Sequence, residues 1–390
     1  MNNLHQERLA IVNMKNEIRD IFAGTYMKFC QRLPIDEKKI VLKSFRGIEC
    51  GDNPRAIFDA LYAKRPDLHY VWVTADEKLS VPGARTVRHG SPAEIKELAT
   101  AKIWIDNKRK GCWTSKRAGQ FYLQTWHGGI ALKRIEKDAE DKLPAYYIKS
   151  AKKDSRLADA FLSGSGWQTG NIRDAFWYTG DIWETGLPRN DILFRPDEAG
   201  KKIRQAFGFS ETDKVVLYAP TFREDYSLDV YDLDRERLLA ACRARFGGKW
   251  KLIMRLHTNI SSEGKYFYSN DEVLNGCHYP IMSELVAGCD VLVTDYSSCM
   301  FDAAESGKIS FIYASDVEDY LADRGFNFEF RDLPFAIAET NDELERNIKA
   351  FDENEYAART EAFFDELQVY DNECAAGTVA DMLLQIMEEK

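Results

Sequence analysis

The chain lacks several things, and each absence narrows its function. No apolar run in its 390 residues reaches the roughly 18 needed to cross a bilayer. The opening MNNLHQERLAIVNMKNEIRD has charges throughout and is not read as a secretory leader. The eight cysteines (Cys30, Cys50, Cys112, Cys242, Cys277, Cys289, Cys299 and Cys374) form no CxxC pair, so they read as reduced, mostly core thiols and not as a disulfide frame or zinc site. There is no HxxxH and no dense Asp cluster, and no metal is expected. The absence of GxGxxG and GxxxxGK[ST] argues against a dinucleotide oxidoreductase and a P-loop NTPase. Repeats and low-complexity tracts are also absent. A net charge of −10 argues against a general nucleic-acid binder.

What is present is length and alternation. A chain of 390 residues, 45% hydrophobic, is too long for one ordinary core. Apolar strand-like runs at KIVLKS, HYVWVT, KIWID, FYLQT, AFLSGS and GDIWETG alternate with helical patterns from Pro54, from Ser91 (a capping box with Glu94) and near residues 144–153 and 166–175. The segment 186–200, GLPRNDILFRPDEAG, reads as a linker. A second alternating set follows: KVVLYAP, KWKLIMRLH, DVLVTD and KISFIY, with helices near 233–243, 281–287 and 298–306 and to the end. The expectation is α/β, with two Rossmann-like domains, 1–190 and 191–390, facing a central cleft where strand carboxyl ends bind ligand. Charge is uneven: residues 1–46 carry nine Lys/Arg against five Asp/Glu, and residues 102–153 thirteen against five. A basic N-terminal half suits an anionic substrate or membrane face.

Polar clusters follow the strands. In QTWHGG, His127 stands before Gly128 and Gly129, at a strand end; an imidazole there suits a general base. Arg223 in PTFRED and Arg255 with His257 in MRLHTN offer cations from neighbouring strand ends, suited to phosphate. In VTDYSSCMFD, which includes Thr294, the serines Ser297 and Ser298 precede a helix, as caps or facing an anion; Asp295 and Asp302 either take ribose hydroxyls or fix the turn. Lys133 and Arg189 are possible acceptor-side or cleft residues.

In this order the clusters resemble the CDP-glycerol glycerophosphotransferase family of teichoic-acid primases and polymerases. The resemblance rests on KIVLKSFRGIECGDNPRAIFDAL, FYLQTWHGGIALKRIEKD, GLPRND, VVLYAPTFRED, LIMRLHTN and DVLVTDYSSCMFDAAESGKISFIY with DVEDYLADRGF, from about residue 39 to about 330. It implies a glycosyltransferase-B architecture and transfer of glycerol phosphate from CDP-glycerol to a polyol-phosphate or undecaprenyl-linked acceptor, with release of CMP. It implies His127 as base, His257 and Arg223 on the pyrophosphate, and Ser297, Ser298 and Asp302 in the donor loop. His127-Gly128-Gly129 stands where the family usually has HGT, and His257-Thr258 where it often has HP. The rivals are a CDP-ribitol or other CDP-alditol donor, a non-catalytic nucleotide-binding homologue, and a sugar-nucleotide enzyme of the same architecture. No tightly bound cofactor is expected. The expected setting is peripheral, on the anionic cytoplasmic face of the cell membrane, where a homo-oligomer is possible. Leu9, Ile11, Val12, Ile18, Ile21, Phe22 and Met27 would line a shallowly inserted amphipathic helix.

Overall fold

Two parallel sheets organise the chain, because its apolar runs are long enough to be covered on both faces. The structure is a computed structural model that describes residues 2–76, 78–221, 232–256, 270–318, 320 and 325–388. Arg223 and His257 therefore lie outside the described residues. The first sheet contains β1 (Asp36–Lys43), β2 (His69–Thr74), β3 (Arg85–Arg88), β4 (Ala101–Asp106), β5 (Phe121–Gln124), β6 (Ala160–Leu162) and β7 (Asp181–Trp183). Its strand order is β3-β2-β1-β4-β5-β6-β7, and every pairing is parallel. Its helices are α1 (Asn2–Cys30), α2 (Asp52–Lys64), α3 (Pro92–Thr100), α4 (Ala145–Leu157) and α5 (Gly166–Ala175).

Strand β1 shows why the sheet needs two covers. Ile40 and Leu42 point to the face packed by Ile57, Phe58 and Leu61 of α2, whereas Val41 points to the face packed by Met27 of α1 and Leu98 of α3. The period-2 alternation is thus apolar on both sides. At the start of α3, Ser91 Oγ accepts the Glu94 amide at 3.3 Å, as a capping box requires. The Glu94 carboxylate, however, takes the Gly90 amide at 2.6 Å and Lys43 Nζ at 3.0 Å, and it is this lysine that draws it into the sheet.

The second sheet contains β8 (Lys214–Tyr218), β9 (Trp250–Met254), β10 (Val273–Asn275), β11 (Val291–Thr294), β12 (Ile309–Tyr313) and β13 (Ala336–Ala338), in the order β10-β9-β8-β11-β12-β13, again parallel. It is covered by α6 (Pro196–Phe207), α7 (Arg235–Phe246), α8 (Met282–Gly288), α9 (Cys299–Glu305), α10 (Asn341–Lys349) and α11 (Glu353–Leu367). This is the two-domain glycosyltransferase-B arrangement expected from the sequence.

One assignment changes. The terminal helices were placed with the second half, but the last, α12 (Ala375–Glu388), returns to the first sheet. Its Val379, Ala380 and Leu383 join Ile40, Leu42 and Phe58 in one core. The apolar stripe of α12 is buried only there. The chain crosses back through Val369 and Tyr370, whose amide donates to the Gly164 carbonyl at 3.0 Å. The domains are also laced together beyond β5. Ile130 and Leu132 sit in the second domain's core, and Arg134 and Asn327 exchange backbone hydrogen bonds with Gly325 and Leu132.

Candidate active site

The first domain's strand order reverses between β1 and β4, because β2 and β4 both pair with β1, and ligands in such sheets bind beyond the carboxyl ends at that switch point. Three strand ends meet there: Ser44-Phe45-Arg46 after β1, Asn107-Lys108 after β4, and Thr125-Trp126-His127 after β5. Buried amides hold them in register. Asn107 Oδ1 accepts the Phe45 amide at 2.8 Å, and its Nδ2 donates to Asp52 at 2.6 Å. Asn53 Nδ2 reaches the Thr125 and Trp126 carbonyls at 3.3 Å each. Gln124 Oε1 accepts the Trp126 amide at 3.0 Å.

His127 is half-buried at the centre. Its Nδ1 lies 2.9 Å from the Asn107 carbonyl, which can only accept, so Nδ1 carries the proton and Nε2 keeps its lone pair. That lone pair faces Lys108 Nζ at 2.8 Å. Trp126 and Phe45 wall the ring, with centroids 4.4 Å and 5.7 Å away. Burial, then the Lys108 charge, push the imidazole down from the ordinary value near 6.5 to about 3. Burial and the neighbouring Arg46 charge push Lys108 down to about 8. Without a ligand, the site is a neutral base inside a positive field.

Strain concentrates here. Phe45, Arg46, Trp126 and Glu136 have φ of 46°, 58°, 53° and 56°, left-handed values that cost about 1–3 kcal/mol each for such residues. The left-handed turn falls on Trp126 and not on the glycines after it. A Cβ at Gly128 would meet nothing within 4 Å, and one at Gly129 would meet Leu187 Cδ1 at 3.1 Å. The Gly128 carbonyl accepts from Gln168 Nε2 at 3.0 Å, and Gln168 belongs to the cap of α5.

Beneath the loops lies a buried charge network that sequence reasoning missed. Arg109 pairs with Glu136 at 2.7 Å and Asp154 at 3.3 Å, and its guanidinium lies over Trp126, Phe161 and Phe176 at 5.4, 5.6 and 5.2 Å. Lys110 and Lys43 converge on Asp106 at 2.8 and 3.3 Å. Burial outweighs pairing for Lys110, which is held below its usual range. The signal in the sequence was the run DNKRK directly after an apolar strand. It follows that part of the positive excess over 102–153 is internal and does not face a partner.

The second domain brings Ala219, Arg255 and Asp295–Ser298 to the facing strand ends. Thr294 is buried, and its hydroxyl donates to the Ala219 carbonyl at 2.7 Å. Asp295 Oδ1 accepts the Thr221 and Tyr296 amides at 2.8 and 2.5 Å. Arg255 Nη1 donates to the carbonyls of Gly276, at 3.2 Å, and Cys277. Ser297 Oγ lies 3.5 Å from the Cys299 amide, whereas Ser298, at the N-cap of α9, makes no side-chain cap bond and is half-buried. Asp302 accepts both bonds from Arg189 Nη2, at 3.0 and 3.2 Å, and Arg189 Nε stands 3.6 Å from Asp52. This pair therefore closes the hinge between domains. Lys133 pairs its backbone with Phe326, and its Nζ lies 4.8 Å from the Tyr320 ring centroid. No cluster of metal-ligating side chains occurs among the described residues.

Two Rossmann-like domains, with a fixed imidazole on one lip and a polar loop on the other, give the glycosyltransferase-B architecture. The chain belongs to the CDP-glycerol:poly(glycerophosphate) glycerophosphotransferase family, which matches residues 25–385. It is 30% identical to the teichoic acid glycerol-phosphate transferase of Staphylococcus aureus over 90% of this chain and 94% of that one. It is 28% identical to the teichoic acid poly(glycerol phosphate) polymerase of Bacillus subtilis over 89% of this chain but 48% of that one. The chain thus spans about half the length of the polymerases it matches first. A crystal structure of a variant of the wall teichoic acid polymerase TagF, soaked with CDPG, superposes with a TM-score of 0.84 at 27% identity, covering 100% of this chain and 99% of that chain.

Proposed function

We propose that the protein transfers glycerol phosphate from CDP-glycerol to an acceptor hydroxyl and releases CMP. The observation that carries this reading is His127, whose Nδ1 is tied to Asn107 while Nε2 faces the cleft. The acceptor hydroxyl gives its proton to Nε2, and its oxygen forms a bond to the glycerol-bearing phosphorus. The bond from that phosphorus to the bridging oxygen breaks, and its electron pair leaves with CMP. Positioning and charge stabilisation do most of the work in such a transfer. On the donor side, Ser297 and Ser298 face the phosphates. By motif, Arg223 and His257 contact the diphosphate, while Thr294, Asp295, Arg255 and Asp302 hold the strand ends and hinge that shape the donor loop. The family membership and the TagF soaked with CDPG support CDP-glycerol as donor.

The acceptor is a polyol-phosphate or lipid-linked chain, and the enzyme meets it at the anionic cytoplasmic face of the membrane. No helix among the described residues is long and apolar enough to cross a membrane. Helix α1 instead presents Ile18, Ile21, Phe22 and Phe29 to the outside, 48%, 67%, 73% and 61% exposed, while Met27 turns into the core. Such a row at helical spacing suits shallow insertion.

Incubation of the protein with CDP-glycerol, CDP-ribitol and UDP-sugars tests the assignment. Acceptor-dependent CMP release with CDP-glycerol supports it. CMP release confined to CDP-ribitol moves the donor, and UDP release overturns it.

A further inference from the structure

The cavity in front of His127, about 760 Å³, is lined by Arg46, Lys108, Trp126, Arg134, Glu136 and Tyr147 among others. Two of its cations stand apart from the rest of their region. Arg46 is exposed and makes no hydrogen bond or ion pair with any described residue, although it is held in a left-handed conformation that points to a requirement at that position. Lys108 has the His127 ring and the Phe45 face as its side-chain contacts, at 2.8 Å from Nε2 and 5.5 Å from the Phe45 centroid, and no carboxylate of a described residue within ion-pair distance. Its neighbours Arg109 and Lys110 are both paired with buried carboxylates. Glu136, which lines the same cavity, is already occupied by Arg109 and Tyr147. Asp138 and Asp141 line the same cavity but are exposed to solvent. Two uncompensated cations side by side around a neutral base form a place for an anion.

We propose that Arg46 and Lys108 form a subsite for the phosphate at the end of a polyol-phosphate acceptor, one glycerol unit from the hydroxyl that His127 deprotonates. This rests on His127 being the base. It explains the contact that blocks the base in the ligand-free protein: Lys108 Nζ occupies the place at Nε2 that the attacking hydroxyl must take. A phosphate between the two cations draws Lys108 off the imidazole, and the hydroxyl of the same acceptor enters. An acceptor ending in a neutral sugar brings no such phosphate and leaves Lys108 where it is. The site thereby favours chain ends that already carry a polyol phosphate.

The test uses the full chain and glycerol 3-phosphate as probe. Calorimetric titration should show binding that weakens with salt, with none for glycerol. Binding should fall about tenfold or more in Arg46→Gln and in Lys108→Met, the usual loss for one charge-assisted hydrogen bond. In the transfer assay, Arg46→Gln should raise KM for a glycerol-phosphate-terminated acceptor by a similar factor. It should leave KM for CDP-glycerol unchanged. No binding of the probe to the wild-type chain, or wild-type affinity for it in both variants, overturns the subsite. A rise in KM for CDP-glycerol instead gives the two cations to the donor and overturns it too. Probe binding with the expected losses, but no CMP release from CDP-glycerol with any acceptor, keeps the anion subsite and removes the proposed function.

Discussion

At the scale of single residues, the informative fact is the positive field around a neutral imidazole. Burial and Lys108 hold His127 near 3, so it stays unprotonated as the pH falls through 6.5. The acid limb of kcat/KM, which reports the free enzyme, should therefore lie well below the value of an ordinary histidine. Lys108→Met removes the nearest charge, and the limb should move upward; a limb near 6.5 that does not move in Lys108→Met contradicts the account. The histidine itself was legible in the sequence, because glycines behind a strand end are unusual for a core residue. Lys108 was not. In DNKRK three cations follow one another, and only the fold shows that Arg109 and Lys110 turn inward to carboxylates while Lys108 turns to the cleft. The downward shift of His127 was not legible either, since burial of the ring, and then the charge of Lys108 after β4, cause it.

At the scale of elements, the loops at the site stand on the buried ion network. Arg109 is the member with the most partners, reaching Glu136, Asp154, Ser155 and the Phe176 carbonyl. Arg109→Met strands two buried carboxylates and should destabilise the protein by about 3–5 kcal/mol. Chemical denaturation measures this, and a loss below about 1 kcal/mol would show that the network contributes little. The long strands β1, β2, β4 and β9 were legible because both faces are apolar. The strands β3, β10 and β13 were not: each lies at a sheet edge and lacks the apolar run on both faces that marks the central strands. The start of α6, through Gly200, falls in the segment read as linker because of its Pro and Gly. Yet Pro196 at its first turn and Gly208 at its C-cap, with φ of 69°, are start and stop signals.

At the scale of the whole molecule, the hinge joins what the sheets separate. Arg189 bridges Asp302 of the second domain and Asp52 of the first, and Asp371 accepts the Leu187 amide and Asn190 Nδ2 at 2.6 Å each. Burial holds the Asp371 carboxyl up at about 7, and Glu305 beside it is raised as well. A carboxyl raised in the folded state contributes stability that is complete below its unfolded value near 4 and is lost as the pH climbs through about 7. Melting temperature should therefore decline between about pH 4 and about pH 7, and Asp371→Asn should flatten that decline; an unchanged slope would place the pH dependence elsewhere. The two-domain plan was legible from the alternation of strand and helix. The return of α12 was not, because its apolar stripe fits either sheet and only the crossing at Val369 and Tyr370 decides.

The outer face of α1 belongs to the same scale. Binding to vesicles containing anionic lipid should weaken at high salt and in the exposed-face variant Ile21→Glu with Phe22→Glu, while neutral vesicles bind less. Equal indifference to both vesicle types would leave the row Ile18, Ile21, Phe22 and Phe29 to another partner.

The central claim is that the imidazole held between Asn107 and Lys108 takes the acceptor proton. The direct measurement is CMP release from CDP-glycerol, with acceptor present, by the wild-type chain and by His127→Ala, alongside the calorimetric affinity of each for CDP-glycerol. The account predicts turnover lower by about two or more orders of magnitude with donor affinity nearly unchanged. Near-normal turnover in His127→Ala would contradict it.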